Sequence, residues 1–162
     1  MSELKELSER LASLLLDKKK QLAVAESCTG GWLAKCLTDI SGSSGWFERG
    51  FVTYSNDAKR EMLGVDAATL AGYGAVSEAV VREMALGVLS HSPADVAVAI
   101  SGIAGPGGGS PDKPVGTVCF AFAERGGDVQ VTTCHFEGDR EAVRRSAVHY
   151  ALSQLLQLSA DG

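Results

Sequence analysis

The sequence Ala-Val-Ala-Glu-Ser-Cys-Thr-Gly-Gly-Trp, residues 23–32, changes character at its midpoint and decides the fold. Its apolar start is typical of a buried strand, and a helical pattern follows the small polar residues. At such a strand-to-helix junction the first backbone N–H groups of the helix are free and carry partial positive charge. We therefore expect Ser27, Cys28 or Thr29 to lie beside an anion or oxyanion site, which Gly30 and Gly31 leave open to approach. An ordinary helix cap is the alternative interpretation, because Ser and Thr are common N-cap residues.

Length and charge limit the classes of protein that this chain can represent. The 162 residues are enough for one domain with a complete core, which we expect to span residues 1–162. The formal net charge of −5 argues against a general binder of nucleic acids or anionic membranes. No apolar run approaches the roughly 20 residues of a membrane span. The N-terminus is charged and has no apolar signal-peptide core, so we expect a cytoplasmic protein.

The cysteines and histidines do not form a pattern typical of metal binding. The four cysteines, at positions 28, 36, 119 and 134, include no Cys-x-x-Cys pair, and the three histidines are scattered. We therefore expect no metal site. Three of the cysteines lie in apolar strand or helix patterns, where a buried reduced thiol is the usual state. Cys28 alone has surroundings that could make its thiol reactive.

The rest of the chain predicts helices before, between and after about five strands. Predicted strands cover residues 22–25, 46–54, 95–100, 115–123 and 129–136, the last two forming a hairpin around Gly126 and Gly127. Predicted helices begin with an amphipathic one carrying leucines at 4, 7, 11, 14 and 15, and continue at about 29–40, 56–63, 66–71, 77–92 and 140–158. The fold class that we expect is a single-domain, three-layer α/β/α arrangement with a mixed sheet.

A glycine-rich loop follows the predicted strand 95–100. Residues 101–109 read Ser-Gly-Ile-Ala-Gly-Pro-Gly-Gly-Gly, and such glycines let the backbone approach another group closely. The loop is not a P-loop, because no Lys-Ser or Lys-Thr pair follows it, and its glycine spacing differs from the dinucleotide-binding fingerprint. A flexible surface loop and a ligand-binding loop both remain open.

Hydrolysis of an amide requires a base as well as a nucleophile and an oxyanion site. The histidines show no sign of a catalytic context, but a lysine can act as base if burial or nearby positive charge lowers its pKa. Lys59 lies in the first turn of a predicted helix, where the helix dipole contributes only about 0.3–1 kcal/mol, so burial must provide most of the shift. Tyr54, at the preceding strand end, could hold Lys59 in place or relay a proton. A solvated surface lysine is the alternative.

Five motifs together carry a resemblance to a known family. They are Ala-Glu-Ser-Cys-Thr-Gly-Gly at 25–31, Thr-Tyr-Ser-Asn-Asp-Ala-Lys at 53–59, Ser-Gly-Ile-Ala-Gly-Pro at 101–106, Lys-Pro-Val-Gly-Thr-Val at 113–118 and Gly-Asp-Arg at 138–140. In this order and spacing they closely resemble the CinA C-terminal domain family over essentially the whole chain. The characterised activity of that family is the hydrolysis of nicotinamide mononucleotide at its amide.

The resemblance implies specific roles for residues in these motifs. Ser27 resembles the family's nucleophile, Lys59 its general base, and Tyr54 the tyrosine that accompanies the lysine. Ser101 stands where the family usually has threonine, so its hydroxyl is kept and a methyl group is lost. Arg140 matches the family's Gly-Asp-Arg and would hold an anionic group such as a phosphate. The substrate-binding residues that we expect are Thr29, Gly30, Gly31, Ser101, Gly102 and Arg140.

We therefore expect an amidohydrolase of pyridine nucleotide salvage that converts nicotinamide mononucleotide into nicotinate mononucleotide and ammonia. The chemistry of a Ser/Lys dyad needs neither a metal nor an organic cofactor. The expected partner is a small mononucleotide substrate, with no nucleic acid and no membrane, and a homo-oligomer remains open. Two alternatives also remain open: a non-catalytic ligand-binding or interaction module, and a hydrolase of another small amide or ester.

Overall fold

The computed structural model describes residues 3–161, in which a five-stranded sheet lies between two layers of helices. The strands are β1 (Leu22–Glu26), β2 (Phe47–Val52), β3 (Val96–Gly102), β4 (Thr117–Glu124) and β5 (Val129–His135). The helices are α1 (Glu3–Lys18), α2 (Trp32–Thr38), α3 (Asn56–Leu63), α4 (Ala67–Tyr73), α5 (Glu78–Ser90) and α6 (Arg140–Asp161), with a short 3₁₀ helix at Ser43–Gly45. Within the described residues, no helix is both long and apolar enough to cross a membrane.

The sheet has the strand order β2-β1-β3-β4-β5 and is mixed. Strand β1 pairs in parallel with both β2 and β3, whereas β4 is antiparallel to β3 and to β5. This arrangement confirms the predicted α/β/α fold class, and the β4–β5 pair confirms the predicted hairpin. The strand order itself is new, because the sequence pattern carries no information about which parallel strands are neighbours.

Two element boundaries differ from the prediction near the Ser27 motif. Helix α2 begins at Trp32 rather than at residue 29, because Gly30 and Gly31 adopt φ angles of 58° and 102°, outside the right-handed helical region. Strand β2 ends at Val52 rather than at residue 54. Residues 29–31 and 53–54 therefore lie outside the helix and the strand, in or beside the candidate site described below.

The two faces of the sheet differ in side-chain size. The face toward α1, α2 and α6 carries the bulky side chains Leu22, Val24, Val98, Ile100, Phe120 and Phe122. The face toward α5 carries Ala23, Ala25, Ala97, Ala99, Ala121 and Ala123. Successive strand residues point to opposite faces, so the alternation of large and small residues assigns each face to one helical layer. The small face packs against α5 and its neighbours α3 and α4.

The strand order creates a crevice at one edge of the sheet. From β1 the chain passes through α2 to β2 on one side, while β3 lies on the other side of β1. In α/β sheets, ligands bind at the carboxyl ends of the strands where such a reversal occurs. Ser27 directly follows β1, and the glycine-rich loop directly follows β3, so both lie at this edge.

Helices α3 and α5 pack at very short range. A Cβ atom built on Gly87 of α5 would lie 2.1 Å from the carbonyl oxygen of Leu63 in α3. Only a glycine therefore fits at position 87 in this packing, and the contact fixes the helix that carries Lys59.

We expect Gly87→Ala to lower the free energy of unfolding by about 1–3 kcal/mol, the usual cost of overpacking. Urea denaturation followed by circular dichroism measures this change. Gly72→Ala in α4 is the matched control, since nothing lies within 4 Å of a Cβ built there. That variant should be neutral or more stable by up to about 1 kcal/mol, as expected for Gly→Ala in a helix. Equal stabilities of the two variants would contradict the packing argument.

Candidate active site

Ser27 is positioned by the two central parallel strands. Its backbone N–H donates to the carbonyl oxygen of Ile100 at 3.0 Å, which ties the residue after β1 to β3. Its own carbonyl oxygen accepts from the N–H of Gly30 at 3.1 Å. Residues 27–31 therefore form a tight turn between β1 and α2, which we call the Ser27 turn.

The amine of Lys59 lies beside the Ser27 hydroxyl. The Nζ–Oγ distance is 3.0 Å, and Lys59 is only 1% exposed. Nζ also lies 2.8 Å from the carbonyl oxygen of Thr53 and 3.3 Å from that of Tyr54. Helix α3 holds the lysine there, with its N-cap Ser55 accepting the N–H of Ala58 at 3.0 Å.

The surroundings of Lys59 favour its neutral form. Burial lowers the pKa of the amine, because the charged form loses its hydration. Among the described residues, no carboxylate lies within ion-pair distance of Nζ to oppose this effect. A neutral amine has two N–H donors and one lone pair. In the structure Nζ is placed to donate to both carbonyl oxygens and to the Ser27 hydroxyl oxygen; in the neutral form the two carbonyls take its two hydrogens and the lone pair faces the Ser27 hydroxyl.

Tyr54 contributes to the site through two separate groups. Its carbonyl oxygen accepts from Lys59, while its ring is 59% exposed and its hydroxyl accepts from Nη2 of Arg140 at 3.0 Å. Nη1 of Arg140 donates to the carbonyl oxygen of Gly105 at 2.7 Å. Arg140 thus joins the tyrosine to the glycine-rich loop and adds positive charge to the wall of the cavity.

A cavity of about 270 Å³ opens at this edge of the sheet. Of the sequence-predicted site residues, it is lined by Ser27, Tyr54, Lys59, Ser101, Gly102 and Arg140. The rest of the lining consists of Cys28, Asn56, Ala75, Val76 and residues 103–108 of the glycine-rich loop, apart from Pro106. The size and the mixed polar lining suit a small organic molecule.

The other three predicted substrate-binding residues lie elsewhere. Thr29, Gly30 and Gly31 line a second cavity of about 620 Å³ together with Trp32 and Arg144. The Thr29 hydroxyl is directed inward, donating to the Glu26 carboxylate at 2.6 Å. The structure therefore does not bring these residues into the cavity of Ser27 and Lys59. The N–H of Gly30 is also occupied within the turn.

The glycine-rich loop is held against β4 at its start. Ile103 donates its N–H to the Thr117 carbonyl oxygen at 2.9 Å and accepts from Gly116 at 2.7 Å. Gly105 has a φ of 83°, and a Cβ built on it would lie 2.4 Å from a methyl carbon of Val115. These contacts and the loop's place in the cavity lining favour the ligand-binding interpretation over a free surface loop.

Cys28 lines the same cavity but is a weaker nucleophile than its position suggests. Burial raises the pKa of its thiol to about 11, partly offset by the positive charge of Arg144. At neutral pH the thiol therefore remains protonated, and the protonated form is not the nucleophile. Ser27, whose hydroxyl lies 3.0 Å from an amine with a lowered pKa, is the better candidate.

Two residues of the site were missed by the sequence analysis. The carboxylate of Glu26 is fully buried and accepts the N–H groups of Leu33 and Ala34, both at 2.9 Å, at the start of α2. An acidic residue just before a helix is a recognisable signal for this role. Arg144 donates to the carbonyl oxygens of Cys28 and Thr29. No motif or spacing indicates this contact, because Arg144 lies 116 positions after Cys28.

Within the described residues, no group of three or more His, Cys, Asp or Glu side chains is arranged to hold a metal ion. All three histidines belong to the described part of the chain, and none of them lines the cavity of Ser27 and Lys59.

Comparison with known proteins gives concordant matches over almost the entire chain. A family model described as the CinA C-terminal domain matches residues 4–159. The nicotinamide-nucleotide amidohydrolase PncC of Escherichia coli K12 is 60% identical over 157 residues, covering 96% of this chain and 94% of that protein. The PncC of Enterobacter agglomerans is 58% identical over 154 residues, with 95% and 94% covered.

Solved structures agree with these sequence matches. The competence/damage inducible protein CihA from Agrobacterium tumefaciens superposes with a TM-score of 0.95 at 45% identity, covering 98% of this chain and 96% of that one. A CinA superfamily protein from Klebsiella pneumoniae also gives 0.95, at 43% identity, with 99% and 100% covered.

The burial of Lys59 predicts a pH-dependent stability difference. Its pKa is lower in the folded than in the unfolded chain, so the unfolded state binds more protons and Lys59 destabilises the fold below its unfolded pKa of about 10.4. We expect Lys59→Met to be most stable relative to wild type at low pH. This advantage should shrink as the pH rises from the folded pKa toward about 10.4. Urea denaturation at several pH values measures it.

Arg60→Gln is the control for this measurement. Arg60 neighbours Lys59 but is half exposed, and its guanidinium stays charged throughout the range. Because Arg60 pairs with the Asp57 carboxylate, the comparison is made at about pH 6 and above, where aspartates are ionised, and there its effect on stability should not change with pH. A pH-independent difference for Lys59→Met as well would mean that the pKa of Lys59 is not lowered by folding.

Proposed function

This chain belongs to the CinA C-terminal domain family, and on that premise we propose that it hydrolyses the carboxamide of nicotinamide mononucleotide. The products are nicotinate mononucleotide and ammonia, a step of pyridine nucleotide salvage. The observation that carries the proposal is the 3.0 Å contact between the buried amine of Lys59 and the Ser27 hydroxyl. The names of the 60%-identical relatives supply the substrate.

The reaction begins with transfer of a proton from Ser27 to Lys59. Neutral Lys59 accepts the hydroxyl proton while Oγ forms a bond to the carboxamide carbon, giving a tetrahedral intermediate. The lysine ammonium then donates this proton to the amide nitrogen. The C–N bond breaks, ammonia leaves, and the nicotinoyl group remains as an ester on Ser27.

A water molecule completes the cycle. Lys59, neutral again, takes a proton from the water as its oxygen attacks the ester carbonyl carbon. The proton returns to Oγ of Ser27 as the ester bond breaks and nicotinate mononucleotide is released. Two roles of one amine, as base and then as acid in each half-reaction, therefore suffice for the hydrolysis.

A backbone N–H group of the Ser27 turn is the donor that we propose for the oxyanion. The sequence predicts an oxyanion site beside Ser27, Cys28 or Thr29, and the N–H of Gly30 is not free for it because it donates to Ser27 within the turn. The N–H groups of Cys28 and Thr29 donate to no other described residue. In hydrolases with a nucleophile at a strand-to-helix turn, the residue after the nucleophile supplies such a donor. Of these two residues, Cys28 lines the cavity, whereas Thr29 is fully buried and lines only the second cavity, so we assign the role to the N–H of Cys28.

Substrate binding falls to the residues around the cavity mouth. Arg140 places a guanidinium at the wall, where it would attract the phosphate of the mononucleotide. Ser101 is 1% exposed and lines the cavity, so its hydroxyl can contact the substrate at the floor. A non-catalytic binding module is disfavoured, because it would have no need for a buried amine facing a hydroxyl.

We expect Ser27→Ala to lose nearly all release of ammonia from nicotinamide mononucleotide while keeping the wild-type circular dichroism spectrum. Removing the nucleophile leaves only the binding and oxyanion contributions. Cys28→Ala, one residue away in the same cavity, is the matched control and should keep most of the activity. An inactive Cys28→Ala beside an active Ser27→Ala would transfer the nucleophilic role to the thiol. A panel of other amides and esters decides whether the substrate assignment holds.

The role of Lys59 as base is tested by Lys59→Arg. Arginine keeps the positive charge but does not lose its proton in the working pH range, so this variant should be about as inactive as Lys59→Ala. In the wild type, kcat/KM should fall as the pH drops through the lowered pKa of Lys59, because the neutral form is the active one. An active Lys59→Arg enzyme that retains the same acidic limb would exclude the Ser/Lys mechanism.

A further inference from the structure

Arg144 of α6 hydrogen-bonds to the Ser27 turn from outside the catalytic cavity. Its Nε donates to the carbonyl oxygen of Cys28 at 3.0 Å, and its Nη2 donates to that of Thr29 at 3.2 Å. The guanidinium carbon lies 5.8 Å from the ring centre of Trp32, a cation–π contact that helps to fix its plane. Arg144 lines the 620 Å³ cavity, which shares no lining residue with the cavity of Ser27 and Lys59.

This contact constrains the direction of the backbone N–H groups in the turn. The C=O and N–H of a trans peptide unit point in opposite directions, so fixing one fixes the other. The carbonyl of Cys28 shares its peptide unit with the N–H of Thr29, and the carbonyl of Thr29 shares one with the N–H of Gly30. By holding both carbonyls, Arg144 fixes the orientation of these two peptide units, and the N–H of Gly30 points to the Ser27 carbonyl oxygen within the turn.

The turn needs an external constraint because its own sequence is permissive. Gly30 and Gly31 have positive φ angles and no side chains to restrict them. Inside the turn, the described hydrogen bonds that oppose rotation of the Thr29–Gly30 peptide are the Gly30-to-Ser27 bond and the bond from Trp32 to Thr29. A rotation would break both bonds and shift the backbone next to Ser27 and Cys28.

We propose that Arg144 is a positioning residue for the hydrolysis, holding the two peptide units that follow Cys28 so that the Ser27 turn keeps the Ser27 hydroxyl and the N–H of Cys28 in place at the cavity. The inference rests on the proposed function, because it assigns Arg144 to the same reaction. Arg144 touches neither the substrate cavity nor the dyad. Its effect on the rate therefore passes through the backbone of the turn.

The proposal is tested with Arg144→Ala and Arg144→Lys, assayed by ammonia release from nicotinamide mononucleotide and by the rate at which a fluorophosphonate labels Ser27. We expect kcat and the labelling rate to fall by about 10- to 100-fold in Arg144→Ala, the size of effect that a misplacement of about 1 Å produces. KM should change much less. Arg144→Lys keeps the charge but not the two-pronged geometry, so its kcat should be intermediate.

Chemical rescue separates positioning from general damage to the fold. The second cavity gives a small cation access to the space left by Arg144→Ala, so millimolar guanidinium should restore part of kcat. Methylammonium at the same ionic strength should restore less, because it lacks the planar pair of donors. The acidic limb of the pH profile should stay in place, since Lys59 is unchanged.

Arg145→Ala is the matched control, because Arg145 is the next residue of α6, lines the same outer cavity and carries the same charge. It should keep wild-type kcat and labelling. Wild-type kcat in Arg144→Ala, an equal loss in Arg145→Ala, or a loss expressed only in KM would overturn the role of Arg144. The labelling reaction does not use the mononucleotide. If the wild-type enzyme is labelled at Ser27 but does not hydrolyse the mononucleotide, the proposed substrate is wrong. The labelling rates of the variants then still test the role of Arg144.

Discussion

An amine buried without a counter-charge is the constraint on which the rest of this structure depends. Removing an ammonium from water costs several kcal/mol unless a partner compensates, and Lys59 has no carboxylate partner among the described residues. The site meets this constraint with three oxygen atoms, two carbonyls and the Ser27 hydroxyl. These three oxygens can pair with every hydrogen of the amine, whether it is protonated or neutral. The same arrangement that makes burial tolerable therefore places the proposed base beside a hydroxyl.

Strand register brings these three oxygens together. Glu26, the last residue of β1, pairs with Val52, the last residue of β2, and the N–H of Thr53 donates to the Glu26 carbonyl oxygen at 2.9 Å. Ser27 and Thr53 therefore leave the sheet side by side. A slip of one residue would move every side chain of one strand to the other face, so the buried faces of the sheet also secure the register of the site. Helix α3 then places Lys59 next to these residues, and the close contact between Gly87 and Leu63 fixes the distance of α3 from α5.

Much of this architecture could be predicted from the sequence, and the exceptions have physical reasons. Strand and helix patterns predicted the mixed sheet, and the junction at residues 23–32 pointed to Ser27 as a candidate. The sequence contains only a weak indication that Lys59 is buried. It lies four residues before Leu63, which is buried on the same face of α3. The inward turn of Thr29 and the grip of Arg144 could not be predicted. The contact of Arg144 depends on packing between elements far apart in the chain, whereas the Thr29 hydroxyl is turned inward by Glu26, three residues before it.

The charges around the Ser27 turn also explain why a carboxylate can lie next to Ser27 without stabilising the charged form of Lys59. A carboxylate near Lys59 would stabilise the ammonium and raise the pKa of the amine. Glu26 directly precedes Ser27, yet its oxygens accept from Thr29, Leu33 and Ala34 at the positive end of α2. Its negative charge is thus taken up by the helix that follows the turn, and burial remains the dominant influence on the pKa of Lys59. The helix start that the sequence suggested as an anion site already holds an anion, which is the protein's own glutamate.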